Sequence, residues 1–278
     1  MKLTEIKRIL ASGGIQLTKS LGQNFLHDAN QIRRILAFAE LEPTDRVLEI
    51  GPGLGALTSA LSVTVKQVLA IEKDRRLIEF LHQQFGSTQG LSLVHADALD
   101  YLRSEPARDW LPWKLVANLP YSVGSPLLVE LAQMHRGPKL MVTTLQLEVA
   151  QRLFAGAGNK HYGLLTLLVQ INYELVDWFK IPAACFFPEP EIDSACIKLV
   201  RRTAALLSPA QEAVFRNIVK RSFSQRRKMM LKLLKEDWPI AALAHAFAQA
   251  ELSPQVRAEA VRLDQFVKLS QVLSAFAK

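Results

Sequence analysis

The sequence predicts an α/β fold, in which a doubly wound, mostly parallel sheet is followed by a small all-α domain. Short β-branched runs alternate with helical patterns over roughly the first 200 residues, which is typical of a parallel sheet covered by helices. A glycine-rich loop follows the first run, as expected where a strand turns sharply into a helix. From Arg202 to Lys278 helical periodicity continues without a further strand run. The sequence therefore predicts two domains, residues 1–204 and residues 205–278.

The predicted strands are short apolar runs. The first begins at Arg46 and ends at Ile50, where the glycine-rich loop starts. The run from Ile192 to Val200 alternates apolar and polar residues, which favours an antiparallel strand at an edge of the sheet. Helical patterns occupy the segments between strands. The predicted strands are residues 46–50, 68–72, 91–95, 114–117, 140–145, 166–173 and 192–200, and the predicted helices include residues 56–61, 75–85, 126–134 and 148–154.

A helix start marks the entry to the C-terminal domain. Ser208 is suited to cap a helix, Pro209 suits its first position, and Gln211 stands three residues after the cap. We therefore expect a helix from this point and a domain boundary near residue 204.

Composition excludes several classes of protein. With 278 residues and 49% hydrophobic content, the chain is long enough for two buried cores. It has no run of about 18 uncharged apolar residues, and its N-terminus lacks the apolar stretch of a secretion signal. Cys185 and Cys196 match no zinc-binding spacing, and the six histidines are scattered. We expect a cytoplasmic protein with no metal, no disulfide and no membrane span.

The positive charge is concentrated in one segment. Residues 201–235 contain ten basic side chains and one acidic side chain, Glu212, a net charge of +9 against +8 for the whole chain. Because a solvated helix face normally mixes both signs, a block of one sign favours a polyanionic partner. A basic surface without a partner is the alternative.

The segment Asn118-Leu119-Pro120-Tyr121 follows the fourth predicted strand and suits the exocyclic amine of a planar base. An adenine N6 is a poor nucleophile because its lone pair is delocalised into the ring. The Asn118 side-chain oxygen and a backbone carbonyl beside Pro120 could hold the two hydrogens and direct the lone pair at an electrophile, while Tyr121 stacks on the base. A sulfonium electrophile would need no general base. A strand end that runs into a turn is the alternative interpretation.

Polar residues at the other predicted strand ends indicate a nucleoside cofactor. Gly51 and Gly53 follow the first strand and allow the backbone to approach a ligand closely. Glu72 ends the second strand, where a carboxylate can accept from both ribose hydroxyls, and Asp97 follows the third, where it could accept from an adenine amine. The loop has the pattern G-x-G-x-G, whereas G-x-G-x-x-G binds the pyrophosphate of NAD. S-adenosylmethionine carries no phosphate and fits better.

Taken in order, these motifs resemble the S-adenosylmethionine-dependent rRNA adenine dimethyltransferases over nearly the whole chain. The resembling segments are residues 19–26, 49–53, 71–74, 96–98, 118–121, 186–194 and 224–228. The resemblance implies a Rossmann-like methyltransferase sheet. It also implies that Asn24 and Leu26 cover the cofactor, that Gly51 and Gly53 line its methionine end, that Glu72 binds the ribose, that Asp97 and Ala98 lie at the adenine, and that Phe186 stacks on the flipped base opposite Tyr121.

The same resemblance implies a substrate and a partner. The expected reaction is repeated methyl transfer to N6 of two adjacent adenosines near the 3′ end of small-subunit (16S) rRNA, which gives N6,N6-dimethyladenosine. We expect a monomer that acts on a 30S precursor particle and contributes to 30S ribosome biogenesis. Basic residues of the tail would dock the RNA, namely Lys220, Arg221, Arg226, Arg227 and Lys228.

Three alternatives stay open. The sister family that methylates large-subunit rRNA and confers macrolide resistance shares these motifs, and DNA adenine methylation is a second possible reaction. A ribosome-assembly factor that binds through residues 201–235 is the third, and this role can coexist with catalysis. Glu189 and Glu191 depart from the family pattern, and two acids there would repel the phosphates of an RNA.

Overall fold

The computed structural model describes residues 3–12, 15, 22–225 and 227–276. The chain divides into two compact units, the first unit (residues 1–150 and 175–201) and the second unit (residues 151–174 and 202–278). The sequence analysis placed residues 151–174 in the N-terminal domain, whereas here they belong to the second unit. Hydrogen bonds within that unit explain the difference, because the Tyr162 hydroxyl donates to the Val261 carbonyl at 2.8 Å and the Gly158 N–H to the Glu259 carbonyl at 2.8 Å.

The described strands form a seven-stranded sheet and a separate two-stranded sheet. Most of them coincide with the apolar runs of the sequence. The strands are β1 (Phe25–Leu26), β2 (Arg46–Ile50), β3 (Gln67–Glu72), β4 (Leu91–His95), β5 (Trp113–Asn118), β6 (Leu140–Gln146), β7 (Tyr173–Ile181), β8 (Phe186–Phe187) and β9 (Ser194–Arg201).

The order of strands across the larger sheet is β4-β3-β2-β5-β6-β9-β7. β2 pairs in parallel with both β3 and β5, so the winding of the sheet reverses between β2 and β5. Ligands bind doubly wound sheets at such a switch point, outside the carboxyl ends of the strands. β1 and β8 form the small antiparallel sheet, in which Leu26 is paired with Phe186.

The second unit is helical, and no strand occurs in the described residues after Arg201. The helix after Ser208 begins as its sequence predicts, because the Ser208 hydroxyl accepts from the Gln211 N–H and Pro209 occupies the first position. The helices are α1 (Leu3–Ser12), α2 (Ala29–Phe38), α3 (Thr58–Thr64), α4 (Arg75–Phe85), α5 (Ala98–Ser104), α6 (Gly124–Gln133), α7 (Leu147–Leu153), α8 (Leu164–Gln170), α9 (Pro209–Ser222), α10 (Met230–Leu234), α11 (Ile240–Gln249) and α12 (Leu263–Leu273).

One predicted strand is wrong. Residues 166–173 were expected to extend the sheet, but α8 occupies residues 164–170 and β7 begins only at Tyr173. A continuous apolar run has no period that separates a buried helix from a buried strand. The signal for a helix is local, since the Thr166 hydroxyl accepts from the Gly163 N–H at 3.2 Å. The strand predicted at residues 192–200 is β9, which pairs antiparallel with β6, and β7 lies outside it at the edge.

Each unit has its own buried core. In the first unit, Val116 of the sheet shares a cluster with Ile35 of α2 and Leu61 of α3. Burial of a side chain of this size contributes about 1.5–3 kcal/mol. In the second unit, the rings of Phe215 and Phe266 meet edge to face with centroids 6.4 Å apart. Across the described ranges, we find no helix with the length and apolar character needed to span a membrane.

Candidate active site

A pocket in the first unit opens at the switch point between β2 and β5. It brings together all of the residues that the sequence assigned to cofactor binding, although they are far apart in the chain. The first three residues of the motif at 19–26 lie outside the described residues, whereas Asn24 and Leu26 lie on the pocket wall. The predicted residues that line the pocket are Asn24, Leu26, Gly51, Gly53, Glu72, Asp97, Ala98, Asn118, Leu119, Pro120 and Tyr121.

The loop after β2 requires glycine at two positions. Gly51 and Gly53 have φ values of +68° and +61°, a left-handed backbone that residues with a Cβ rarely adopt. A Cβ on Gly53 would lie 2.9 Å from the Phe25 ring, and a Cβ on Gly51 would lie 3.1 Å from the Pro120 ring. The loop therefore packs directly against β1 and the Asn118 turn, and a side chain at either position would crowd these rings.

Glu72 ends β3 as a buried carboxylate. Its Oε2 accepts from the Gly53 N–H at 3.2 Å and its Oε1 from the Asp74 N–H at 2.9 Å. Burial raises the pKa of Glu72. The Lys73 N–H also approaches this carboxylate, and the remaining lone-pair capacity can accept from a hydroxyl of a ligand.

Glu49 of β2 is a pocket residue to which the sequence analysis gave no role. Its side chain is 1% exposed, and within the described residues its Oε2 has no hydrogen-bond partner. Burial, with a smaller contribution from the nearby Glu72 charge, raises the pKa of Glu49 to about 8. An acid within the apolar run of β2 was the available sequence signal, because acids are almost never fully buried without a partner.

Both carboxylate oxygens of Asp97 already accept hydrogen bonds within the protein. Its Oδ1 caps α5 by accepting from the Leu99 N–H at 2.9 Å, and its Oδ2 accepts from Lys73 Nζ at 2.8 Å. The Lys73 ammonium holds the pKa of Asp97 below its ordinary value. An adenine amine at Asp97 would therefore share Oδ2 with Lys73, because that oxygen keeps a second lone pair. Ala98 lies at the start of α5 on the same wall of the pocket.

The Asn118 side chain is held at both ends. Its Nδ2 donates to the Asn24 carbonyl at 2.9 Å, and its Oδ1 accepts from the Thr144 hydroxyl on the neighbouring strand β6. These bonds place Asn118 at the end of β5 with its carboxamide fixed between the segment before β1 and β6. Thr144 is a second residue that sequence reasoning missed, although a polar residue inside the apolar run of β6 was a visible signal.

The Leu119 and Pro120 carbonyls differ in whether they already accept a hydrogen bond. The Pro120 carbonyl accepts from the Val123 N–H at 3.1 Å and the Gly124 N–H at 3.0 Å, so it closes the turn into α6. Within the described part of the chain, no hydrogen bond reaches the Leu119 carbonyl. The carbonyl beside Pro120 that can take a ligand hydrogen is therefore that of Leu119.

Two aromatic residues predicted to flank a base differ in exposure. Tyr121 lines the pocket, its hydroxyl hydrogen-bonds the Ser194 hydroxyl, and burial raises its pKa. Phe186 is only 2% exposed and packs in the core cluster that contains Leu26, behind that pocket-lining residue and not itself among the residues that line the pocket. The structure thus brings Tyr121 to the pocket and does not bring Phe186 there.

The predicted RNA-docking residues of the second unit fall into two groups. Arg221 pairs with Glu236 at 2.9 Å and with Asp237 at 2.7 Å. Lys220, Arg227 and Lys228 are exposed, and no acidic side chain of the described chain pairs with them. Arg226 lies outside the described residues.

Some of the basic side chains in residues 201–235 already have partners within the protein. Arg201 donates to the Met134 carbonyl at 3.0 Å and to the His135 carbonyl at 2.7 Å. Arg202 pairs with Glu174 at 2.7 Å. The charge available to a polyanion is therefore smaller than the +9 of the segment and lies in residues 220–235.

Metal-binding side chains do not cluster in the described residues, since no group of three or more His, Cys, Asp or Glu could hold an ion. Cys185 and Cys196 are free thiols.

Comparison with known proteins identifies relatives over almost the full chain. The model of a family described as ribosomal RNA adenine dimethylase matches residues 14–275. A protein from Natranaerobius thermophilus named ribosomal RNA small subunit methyltransferase A is 34% identical over 288 aligned residues, covering 97% of this chain and 95% of the relative.

Solved structures give the same picture of the fold. The crystal structure of the 23S rRNA methyltransferase ErmE superposes with a TM-score of 0.67 at 29% identity, covering 90% of this chain and 99% of that one. A dimethyladenosine transferase from Plasmodium falciparum superposes with a TM-score of 0.74 at 23% identity, covering 88% and 95%, which shows a shared fold. Both agree with a Rossmann-like sheet.

Proposed function

The chain belongs to the ribosomal RNA adenine dimethylase family, and we propose that it methylates N6 of two adjacent adenosines near the 3′ end of small-subunit rRNA. It is an rRNA adenine dimethyltransferase, whose product is N6,N6-dimethyladenosine. The observation that carries the proposal is the pair of acceptors at the end of β5, the Asn118 Oδ1 and the Leu119 carbonyl, on the wall of a pocket that also holds Glu49 and Glu72.

The pocket fits S-adenosylmethionine, which when bound supplies a methyl group activated on a sulfonium. Its lining includes the acidic side chains of Glu49, Glu72 and Asp97, and Lys73, the one Lys or Arg among the described residues of the lining, is ion-paired. This charge disfavours a phosphate and favours a cation. The unpartnered Glu49 Oε2 suits an ammonium group, because a buried charge needs a partner. Glu72 can accept from ribose hydroxyls with its remaining lone pairs.

Asn118 and Leu119 would act on the adenosine amine. Their two oxygens can accept its two N–H groups, which orients the nitrogen lone pair away from the ring plane and toward the methyl donor. Positive charge develops on the nitrogen as it attacks, and two fixed carbonyl dipoles stabilise that charge. The N–CH3 bond would form as the S–CH3 bond breaks, which leaves a neutral thioether. No basic side chain of the pocket is required, since the cationic nitrogen is acidic enough to release its proton to water.

Tyr121 would form the stacking platform for the flipped base. The hydrogen bond between its hydroxyl and Ser194 fixes one end of the ring, so the face is preorganised. Stacking by Phe186 remains part of the proposal, and it requires the ring to leave the buried cluster that it shares with Leu26. Flipping the base costs a few kcal/mol, less for a base that is already unpaired.

We further propose that the helical C-terminal domain docks the rRNA of a 30S precursor. Lys220, Arg227 and Lys228 are exposed and carry charge of one sign, and Arg226 continues the same sequence run. A monomer acting in the cytoplasm completes the proposal, with the catalytic domain within residues 1–204 and the docking domain at residues 205–278, joined by the segment 151–174 that clusters with the second unit.

The test is methyl transfer by the Asn118→Ala variant. Undermethylated 30S particles are offered with labelled S-adenosylmethionine, and the rRNA products are identified by mass spectrometry. We expect a loss of about 100-fold or more in turnover, because a fixed transition-state dipole is removed. Cofactor affinity is expected to stay within a few-fold of wild type. Asn30→Ala is the matched control, because Asn30 is an exposed asparagine whose side chain accepts a hydrogen bond from Arg33 on α2. Wild-type turnover by Asn118→Ala would overturn the mechanism.

Large-subunit rRNA is the second candidate substrate. The similarity to ErmE, at 29% identity over 90% of the chain, favours it less than the similarity to small-subunit relatives does. Undermethylated 30S and 50S particles offered in parallel separate the two. Methyl incorporation confined to 50S particles would replace the small-subunit assignment.

A further inference from the structure

We propose that Thr144 is a positioning residue for methyl transfer, which fixes the acceptor end of the Asn118 side chain. The proposal rests on the proposed function. Thr144 is 0% exposed, and its hydroxyl donates to Asn118 Oδ1. It does not line the pocket, so it acts through Asn118.

Strand register places this hydroxyl where it is needed. Asn118 at the end of β5 is paired with Thr144 of β6, in the middle of the larger sheet. The Thr144 carbonyl also accepts from the Leu119 N–H at 3.3 Å. One residue therefore contacts both the side chain and the backbone that supply the two acceptors for the amine.

The orientation of the Asn118 carboxamide decides whether it can accept. An amide rotated by about 180° would present its N–H₂ group to the adenosine amine, donor against donor. The Asn24 carbonyl takes the Nδ2 end at 2.9 Å, and the Thr144 hydroxyl takes one lone pair of Oδ1. The second lone pair of Oδ1 stays available for an N6–H. Thr144 thus holds the oxygen in place without occupying the direction that the substrate uses.

The neighbouring threonine supplies a matched control. Thr143 is on the same strand and is also 0% exposed, but successive strand residues face opposite sides of the sheet. Within the described residues its hydroxyl has no hydrogen-bond partner. Thr143→Val and Thr144→Val therefore make the same chemical change at equal burial, and only the second removes a bond to Asn118.

The experiment compares Thr144→Val, Thr144→Ser and Thr143→Val with wild type. Turnover on undermethylated 30S particles, cofactor Kd and the thermal midpoint Tm are measured for each. We expect Thr144→Val to lower kcat about 3- to 10-fold, the usual worth of one neutral hydrogen bond, with Kd unchanged. Thr144→Ser should restore most of kcat because it keeps the donor, and Thr143→Val should keep wild-type kcat.

The outcomes are distinguishable. Wild-type kcat in Thr144→Val would overturn the positioning role, as would an equal loss in Thr143→Val. A kcat loss in Thr144→Val that disappears when rates are normalised to the fraction of enzyme able to bind cofactor would also overturn it, since that pattern reports damaged folding. If wild type itself transfers no methyl group to 30S particles, the proposed function fails.

Discussion

Replacing Glu49 with glutamine tests the electrostatics of the pocket. Burial raises the pKa of Glu49 to about 8 from an ordinary value of 4.5, so the folded protein holds this proton more tightly than the unfolded chain. The contribution of Glu49 to stability is therefore most favourable below pH 4.5, declines as pH rises, and levels off above pH 8. The Glu49→Gln side chain has nearly the same shape and does not titrate.

The size of the effect follows from the shift. One pKa unit corresponds to about 1.4 kcal/mol, so between pH 5.5 and 7.5 wild type should lose roughly 3 kcal/mol from this group. Glu49→Gln should not lose it. In a protein of this size, roughly 3 kcal/mol corresponds to a Tm difference of about 5 °C.

The assay is thermal unfolding of both proteins at pH 5.5 and pH 7.5, with the change in Tm compared between them. Glu79→Gln is the control, because Glu79 is an exposed acid whose side chain is 57% exposed. We expect Glu49→Gln to be more stable than wild type at pH 7.5 and close to it at pH 5.5. Parallel Tm curves for wild type and Glu49→Gln across this range would refute a neutral, buried Glu49.

Two further predictions concern charge. Lys73→Met removes the cation that competes for Asp97. Cofactor affinity measured by calorimetry should rise about 2- to 5-fold, the scale of an exposed ion pair. Weaker binding by this variant would contradict the competition. Arg227→Glu combined with Lys228→Glu should weaken 30S binding in filter assays and reduce the slope of log affinity against log salt concentration by about one per lost phosphate contact. Arg221→Gln is the control and should change this slope less, because Arg221 is already paired. An unchanged slope in the double variant would mean that the RNA binds to another face.

Much of the fold could be predicted because its signals are local. The strand at residues 46–50 and the capped helix after Ser208 depend on neighbouring residues alone, and both agree with the structure. The segment 166–173 failed because its apolar run has no distinguishing period. The segment 151–174 joins the second unit through hydrogen bonds from Tyr162 and Gly158 to residues about 100 positions away. No local sequence pattern contains these contacts.

The sequence predicted which residues form the candidate site, but not which of them already have hydrogen-bond or ion-pair partners. Parallel strand ends converge, so Gly51, Glu72, Asp97 and Asn118 could be placed together from their spacing. Whether each side chain is free to bind a ligand could not be predicted, because Asp97 and Arg221 have partners in other segments of the chain. The same limit applies to charge, since a net +9 in the sequence says nothing of which cations are already paired.

Glu49 shows why the partners of a buried side chain matter to function. A buried carboxyl with one oxygen unpartnered destabilises the fold when ionised, and a protein selected for stability alone would replace it. It stands beside Glu72 on the wall of a pocket that fits a cationic ligand, and an ammonium group placed there would favour its charged form. Glu49→Gln should then be both more stable and a weaker binder of cofactor at pH 7.5, which a purely structural acid would not be. A higher Tm together with a lower cofactor affinity in Glu49→Gln would show that the residue that destabilises the fold is also one that binds the cofactor.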